Sequence, residues 1–535
     1  MECGEEIFML KVLKNKTNYE KLGITLVILS IIFLIISSVW GLLKVNTWYD
    51  ELFSITMVSV GFKNMLTVGV NDVHPLLYYI IFYLFAKFFS IFNFTNLEQI
   101  GVIVSLIPFY LLIILGLTKI RENFGWLTSG IFCFCIIAMP QLLEYSVEVR
   151  MYSWALFFLT AIYILFYEIN KNPTRKKWIL LTILTICSAY TQYFAAVESF
   201  CLYVVFFAYF LFKKREYVKN IIISGIIIIL SYIPWIPSLI TQITKVHTKF
   251  WIDPINLNTI IGYFYYIFSP FNAYIVGNKI IRPDLLGTLV IISFIVVIIY
   301  YYRNMNKNIG LYPLLGLLSV ILMSIIGISI STVYSPIFYM RYLIPVLGII
   351  YLSFSILLDN IKENKKILIS IIVLILIIGL VDMGVFITEE NNKFEKENEI
   401  KELYANTIPN GSIIIYDNPA DYISSKFLEG NYTTYYLGNF LYLGNILNPH
   451  ILAMNHNDGR YLENVLDNIK NENNEVFIVG LEKKYGDLIR EGYNITLIKS
   501  YESTFSRVTA AHGEGVFQLR ADFLDARGYG LLRYA

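Results

Sequence analysis

The chain has 535 residues, of which 56% are hydrophobic and only 15% charged, with a mean hydropathy of +0.60. So many long apolar runs exclude a soluble globular domain and make the bilayer the natural solvent. The net charge of +2 is uninformative, because Lys and Arg are unevenly placed rather than in excess, and no polybasic nucleic-acid surface is visible.

The N-terminal residues Met1 to Glu20 are polar, and the apolar run behind them is too long for a signal-peptide core. It reads as an uncleaved first span from Leu22 to Leu43. Lys11, Lys14, Lys16 and Lys21 precede it, which places the N-terminus inside and Trp48-Tyr49-Asp50-Glu51 outside. Later inside loops are marked by Lys119/Arg121, Lys171/Arg175/Lys176/Lys177, Lys213/Lys214/Arg215/Lys219, Arg303/Lys307 and Lys362/Lys365/Lys366.

Two apolar helices, Pro75–Phe92 and Gln99–Leu117, lie between Asp50 outside and Lys119 inside. An odd number of crossings is required, so one of them does not span. Pro75–Phe92 is aromatic-rich, is interrupted by Lys87 and follows the polar Asn71-Asp72-Val73-His74, so it suits the interface. Lys44 to Glu98 then form one outer loop with juxtamembrane helices.

Further spans follow at Trp126–Leu142, Ser153–Tyr167, Ile179–Tyr190, Phe194–Phe212, Ile221–Ile240, Leu285–Tyr300, Leu311–Ile330, Leu343–Leu358 and Ile367–Phe386. The total is about eleven, which puts the C-terminus outside. Four of the five cysteines, Cys133, Cys135, Cys187 and Cys201, fall in these runs and read as small hydrophobes. The Cys133-x-Cys135 spacing suits neither a zinc nor a redox pair.

After Phe386 the composition changes. Glu389 to Lys401 reads as a charged linker. Ser412–Tyr416, Val476–Val479 and Ile495–Ile498 read as buried strands and Lys483–Glu491 as a helix, giving a small extracytoplasmic α/β domain. The expected organisation is a cytoplasmic N-terminus (1–21), a transmembrane domain (22–387, with the outer first loop at 44–98), the α/β domain (388–506) and a tail (507–535). The tail, from Arg507, contains no Lys, Asn or Ile and favours Ala, Arg and Gly, the signature of a frameshift or fusion scar. The Lys, Asn and Ile enrichment elsewhere points to an AT-rich prokaryotic genome and hence the cell membrane.

Ionisable residues at the mouths of spans are the first candidates for chemistry in such a chain. This topology puts Asp50/Glu51, Asp72/His74, Glu148/Arg150 and Arg341 on one face. Sugar transfer from a polyprenyl phosphate needs a carboxylate to deprotonate the acceptor hydroxyl and cations to hold the departing phosphate. Asp50 is the candidate base, and Arg150 and Arg341 the candidate phosphate clamps. Each also has a plain reading: a solvated loop for Asp50-Glu51, a helix start for His74-Pro75, an interfacial anchor for Arg341-Tyr342 and a loop amide for Gln192. Glu148 and Arg150 are two residues apart and on a helix would point in different directions.

The order of motifs adds to this. Trp48-Tyr49-Asp50-Glu51, Asn71-Asp72-Val73-His74-Pro75-Leu76-Leu77-Tyr78-Tyr79 and Tyr145-Ser146-Val147-Glu148-Val149-Arg150-Met151-Tyr152 come first. Ala189-Tyr190-Thr191-Gln192-Tyr193-Phe194, Ile233-Pro234-Trp235-Ile236-Pro237 and Arg341-Tyr342-Leu343 follow. Over Lys21 to Phe386 this order resembles the protein-mannosyltransferase-like and aminoarabinose-transferase-like branch of the GT-C membrane glycosyltransferases.

The resemblance implies a mostly α, polytopic fold with juxtamembrane helices in the first outer loop. It implies Asp50 as catalytic base supported by Glu51, with Asp72 and His74 lining the same cavity. Glu148 and Arg150 would be its second acidic and basic elements, with Tyr152 and Gln192 in support. The chain departs from the family pattern at Leu76, where a second proline is common, at Gln192, where His is common, and at Ala155, where the protein mannosyltransferases carry Asp. These departures speak against mannose as donor sugar and against a metal at Gln192.

The sequence thus leads to an inverting glycosyltransferase using a polyprenyl-phosphate-linked sugar outside the cytoplasm, with a lipid, glycan or protein acceptor, membrane lipids as surroundings and no nucleic acid. A divalent metal at Asp72, His74 and Glu148 is compatible with this chemistry but not required. The rivals are a transporter or flippase of lipid-linked saccharides, which needs charges at mid-membrane depth, and a polysaccharide polymerase. The ionisable residues cluster at span ends, against the first. The long Thr241–Pro283 loop suits the second, and the early Asp50-Glu51 loop argues against it.

Overall fold

The computed structural model describes residues 17–248, 252, 254–271, 284–304, 309–416, 432–436, 476–481, 495–501 and 514–519. Helix α1 (Asn18–Leu43) is the expected first span, and α2 (Tyr49–Ser59), α3 (Phe62–Asn71) and α4 (Leu77–Ser90) occupy the expected outer loop. Next comes α5 (Leu97–Leu115), continued by a π-helical turn at Gly116–Ile120 and a last turn to Phe124. The series goes on with α6 (Trp126–Ala138), α7 (Leu142–Val147), α8 (Tyr152–Lys171), α9 (Arg175–Ala189) and α10 (Tyr193–Lys213). Then follow α11 (Val218–Tyr232), α12 (Ile236–Thr248), α13 (Leu257–Phe268), α14 (Leu285–Arg303) and α15 (Tyr312–Val333). A 3-10 turn at Met340–Val346 leads into α16 (Leu347–Asp359), and α17 runs from Lys365 to Thr407.

Local chemistry sets many of these starts. The side chains of Asn96, Thr174, Gln192, Asn256 and Asp284 each accept a backbone N–H from the first turn of α5, α9, α10, α13 and α14. A proline ends α6 early: Met139 precedes Pro140 and is extended, so the helix stops at Ala138 rather than Leu142. All eleven expected spans coincide with helices. Nine helices among the described residues are long and apolar enough to cross a bilayer, and α6 and α9 are the shorter two.

The described residues form two compact units, one within Met1–Leu43 and Gly69–Thr388, the other within Lys44–Val68 and Glu389–Ala535. In the first, α8 and the Met340–Asp359 segment are central, with 89% and 94% of their most apolar stretch buried against 22% for Arg215–Thr244. Some polar groups in this core satisfy one another, which an apolar solvent favours. Tyr163 and Tyr312 stack at 4.4 Å, and each hydroxyl donates to the other's carbonyl, at 3.0 and 2.9 Å. Helices α1 and α6 cross through glycine: a Cβ on Gly23 would collide with the Trp126 carbonyl, and one on Gly130 with the Gly23 backbone. Small residues permit this close approach where lipid supplies no hydrophobic drive.

The second unit holds a five-stranded mixed sheet in the order β2-β1-β3-β5-β4. Its strands are β1 (Ile413–Tyr416), β2 (Thr433–Tyr436), β3 (Val476–Leu481), β4 (Ile495–Tyr501) and β5 (Glu514–Leu519). Strand β1 pairs in parallel with β2 and β3 and is fully buried, as a central parallel strand of Ile-Ile-Ile-Tyr should be. Strand β5 runs antiparallel to both β3 and β4, and it lies within the compositionally distinct stretch 507–535. The helix expected at Lys483–Glu491 falls outside the described residues.

One expectation is corrected. Glu389 to Lys401 is not a linker but the continuation of α17, a 43-residue helix. Lys393–Glu390 (2.6 Å) and Lys401–Glu397 (2.8 Å) pair at helical spacing. At about 1.5 Å per residue the helix is roughly 64 Å long, about twice a hydrocarbon core.

Candidate active site

The segment between α6 and α8 is shaped by three backbone features. Gln141 is left-handed (φ 73°) and buried, a conformation that costs a β-carbon residue energy and turns the chain sharply into α7. Helix α7 ends at Val147, and Glu148 is extended. Arg150 N–H then donates to the Glu148 carbonyl at 2.7 Å, closing a three-residue turn with Val149 at its apex. Val147 packs where Gly41 lacks a side chain, and Val149 where Gly101 does. The helical argument for splaying Glu148 from Arg150 therefore does not apply. Both lie at 3% exposure, on either side of an anchored valine.

Tyr145 gathers the surrounding elements. Its hydroxyl meets that of Tyr266 on α13 at 3.0 Å, and its ring stands edge-on to Tyr152 at 5.3 Å. Burial raises the Tyr145 phenol pKa well above its ordinary 10; Tyr266, Glu148 and Tyr152 push the same way, and Arg341 opposes them. Tyr145 therefore senses the charges of both Glu148 and Arg341, residues 193 positions apart in the sequence. The Arg341 guanidinium lies over the rings of Tyr339 and Tyr342, at 5.7 and 6.0 Å. Tyr342 stacks on Phe194 at 4.9 Å, beside the α9–α10 turn.

That turn also meets the Asp72–His74 segment. The Leu77 N–H donates to the Tyr190 carbonyl at 3.0 Å, and Tyr79 donates to Asp72 at 3.4 Å. Tyr193 lies within electrostatic reach of Asp72, donates to Gln242 and accepts from Trp235 at 3.1 Å. Gln242 in turn donates to the Val70 carbonyl at 3.1 Å. His74 is buried ahead of α4, which begins at Leu77 rather than at Pro75. Gln192 uses its carbonyl oxygen to cap α10 through the Ala195 N–H at 2.6 Å. Five of the six sequence motifs thus meet within the first unit.

The sixth, Trp48–Glu51, belongs to the second unit. Asp50 sits in the first turn of α2, where the helix N-terminus favours negative charge. Glu51 is buried and accepts the Trp48 N–H at 3.1 Å, so it reaches back to close the start of its own helix.

Glu198 escaped notice in the sequence and is an exception to the span-end pattern. It is fully buried in α10; one carboxylate oxygen accepts from Ser319 at 2.7 Å, and the other has no hydrogen-bond partner among the described residues. An acidic residue inside an apolar run was the available signal. Among the described residues no three His, Cys, Asp or Glu side chains converge as a metal site. A cavity of about 460 Å³, lined in part by Tyr19, Trp126, Asp359 and Lys362, contains none of the predicted site residues.

No protein-family model and no curated protein sequence matches the chain. Solved structures do. ArnT from Cupriavidus metallidurans in the apo state superposes with a TM-score of 0.60 at 10% identity, covering 92% of this chain and 98% of that one. The same protein bound to undecaprenyl phosphate gives 0.59 at 11% identity with the same coverage. The archaeal oligosaccharyltransferase AglB from Archaeoglobus fulgidus, in complex with an inhibitory peptide and a dolichol phosphate, gives 0.48 at 12% identity, over 91% of this chain and 74% of that one. The chain is a multi-pass helical membrane protein. Its fold is the GT-C fold.

Proposed function

We propose that this protein is an inverting glycosyltransferase that moves a sugar from a polyprenyl-phosphate carrier to an acceptor on the extracytoplasmic side of the cell membrane. The observation that carries the reading is the GT-C fold shared over nearly the whole chain with ArnT, which has been captured with undecaprenyl phosphate. The gathering of Glu148, Arg341 and Tyr145 around one buried loop supports it. The N-terminus is inside and the α/β domain, with the C-terminus, outside.

Asp50 takes the proton of the acceptor hydroxyl as its oxygen attacks the anomeric carbon. The bond from that carbon to the phosphate oxygen breaks, and the electron pair leaves on the carrier phosphate. Arg150 and Arg341 hold that phosphate and offset its growing charge. Asp72, His74 and Glu148 shape the polar cavity, with Tyr152 behind them, while Glu51 holds the helix that bears Asp50. The phosphate is already a good leaving group, so no general acid is assigned. The transporter reading draws support from Glu198 within α10 and from Pro234 and Pro237, which interrupt one apolar segment.

The test is turnover by protein reconstituted in lipid nanodiscs and offered a panel of undecaprenyl-phosphate-linked hexoses and pentoses together with a panel of lipid, glycan and peptide acceptors. The expected result is release of undecaprenyl phosphate with inversion at the anomeric carbon. Retention of configuration, or no turnover across the panels, contradicts the proposal.

A further inference from the structure

The residues just ahead of Asp50 are held by one stripe of α17. The Thr47 N–H donates to Glu397 at 3.0 Å, and the Asn46 side chain donates to Glu390 at 2.7 Å. The Lys44 ammonium lies over the Phe394 ring at 4.6 Å. Glu390, Phe394 and Glu397 are spaced by four and three residues, so they share one face of the helix. The two carboxylates are buried, at 5% and 6% exposure, and each is neutralised from its own helix, Glu390 by Lys393 and Glu397 by Lys401.

Two consecutive backbone donors thus end on carboxylates: Thr47 on Glu397, and Trp48 on Glu51. These N–H groups stand at the start of α2, where no helical carbonyl can serve them. Hydrogen bonds to a charged acceptor are shorter and stronger than neutral ones. This pair anchors the two residues that lead into α2, in whose first turn Asp50 lies. We propose that Glu397, seconded by Glu390, is a positioning residue for Asp50, and that the membrane-distal part of α17 is a splint for the catalytic loop. The inference rests on Asp50 being the base. It gives the charged stretch after the last span a task in the reaction.

The experiment compares Glu397→Ala, Glu397→Gln and Asp50→Asn in full-length protein, using amide hydrogen exchange of residues 44–52 and steady-state transfer from an undecaprenyl-phosphate-linked sugar. Losing a charge-assisted bond should speed exchange of 44–52 by about tenfold or more in Glu397→Ala. It should lower kcat about ten- to hundredfold through misplacement of the base, with KM for the donor within about twofold. Glu397→Gln still offers an oxygen to Thr47 and should recover most of both losses. Protection of β1 amides should match wild type in all three. Unchanged exchange and kcat in Glu397→Ala overturn the splint, as does a loss of β1 protection equal to that of 44–52, which marks a general unfolding. Full turnover by Asp50→Asn would instead remove the base assignment, while the exchange of 44–52 still reports whether Glu397 holds the loop.

Discussion

The hydroxyls of Tyr145 and Tyr266 meet at 3.0 Å, joining the loop of Glu148 and Arg150 to α13 across 121 residues of sequence. Tyr266→Phe should cost about 1 kcal/mol of stability, the usual net worth of one such bond. The effect also has a pH dependence. Burial keeps the Tyr145 phenol protonated beyond the pH near 10 at which an unfolded chain would release it. Between those two values the folded state holds the extra proton, so the stability this tyrosine contributes is intact below pH 10 and falls as the pH rises further. Tyr145→Phe should therefore be less stable than wild type at about pH 8, and the gap should shrink toward about pH 11. Thermal denaturation at both pH values checks this.

Arg341 lies between Tyr339 and Tyr342, with its charge felt at Tyr145. Arg341→Ala should weaken binding of undecaprenyl phosphate by about tenfold or more, and Arg341→Lys should recover only part of it. A planar guanidinium stacks and donates in pairs, which an ammonium does not. Titration calorimetry of the detergent-solubilised protein with undecaprenyl phosphate is the measurement.

Gly23 and Gly130 admit no side chain where α1 crosses α6, whereas a Cβ at Gly225 meets open space. Gly130→Val should lower the thermal midpoint sharply or prevent accumulation of folded protein. Gly225→Ala should be neutral or raise stability by about 0.5–1 kcal/mol through helix propensity. Fluorescence-detected size exclusion across a temperature series separates the two.

Glu198 is bound to Ser319 inside the helical unit. In Glu198→Gln the amide oxygen still accepts that hydroxyl, so the packing persists while the ionisable group is gone. Sugar transfer should stay within about threefold of wild type, since transfer needs no proton carrier at that depth. Loss of transfer with the fold intact would favour the transport reading, in which intramembrane carboxylates relay protons.

Much of the helical fold was legible because hydropathy reports directly on a bilayer. The parity of basic loops set Pro75–Phe92 apart, and α4 is the helix found there, too short to rank among the nine spanning candidates. What escaped depended on tertiary context. The stretch Glu389–Lys401 looks like a linker because its charges suit water, yet Glu390 and Glu397 are buried by partners more than 340 residues away. Strand β2 is only four residues long and gives no clear sequence signal, and β5 lies in a segment whose composition reads as a frameshift or fusion scar. At the candidate site the residue types were readable and their arrangement was not. Assuming helical geometry for Glu148 and Arg150 splayed them apart, whereas a turn over Val149 places them to either side of one anchor. Gln192 was named as a site residue; its amide oxygen caps α10.

The most direct measurement is the turnover of Asp50→Asn in nanodiscs with an undecaprenyl-phosphate-linked sugar that the wild type uses. Asparagine keeps the size of the side chain and removes its basicity. The account predicts a fall in kcat of about a thousandfold or more, within the reach of losing a general base. Thermal stability should fall by no more than about 1 kcal/mol, the worth of a charge at a helix N-terminus, and undecaprenyl phosphate affinity should remain at its wild-type value. Turnover within tenfold of wild type from a folded Asp50→Asn protein would contradict it.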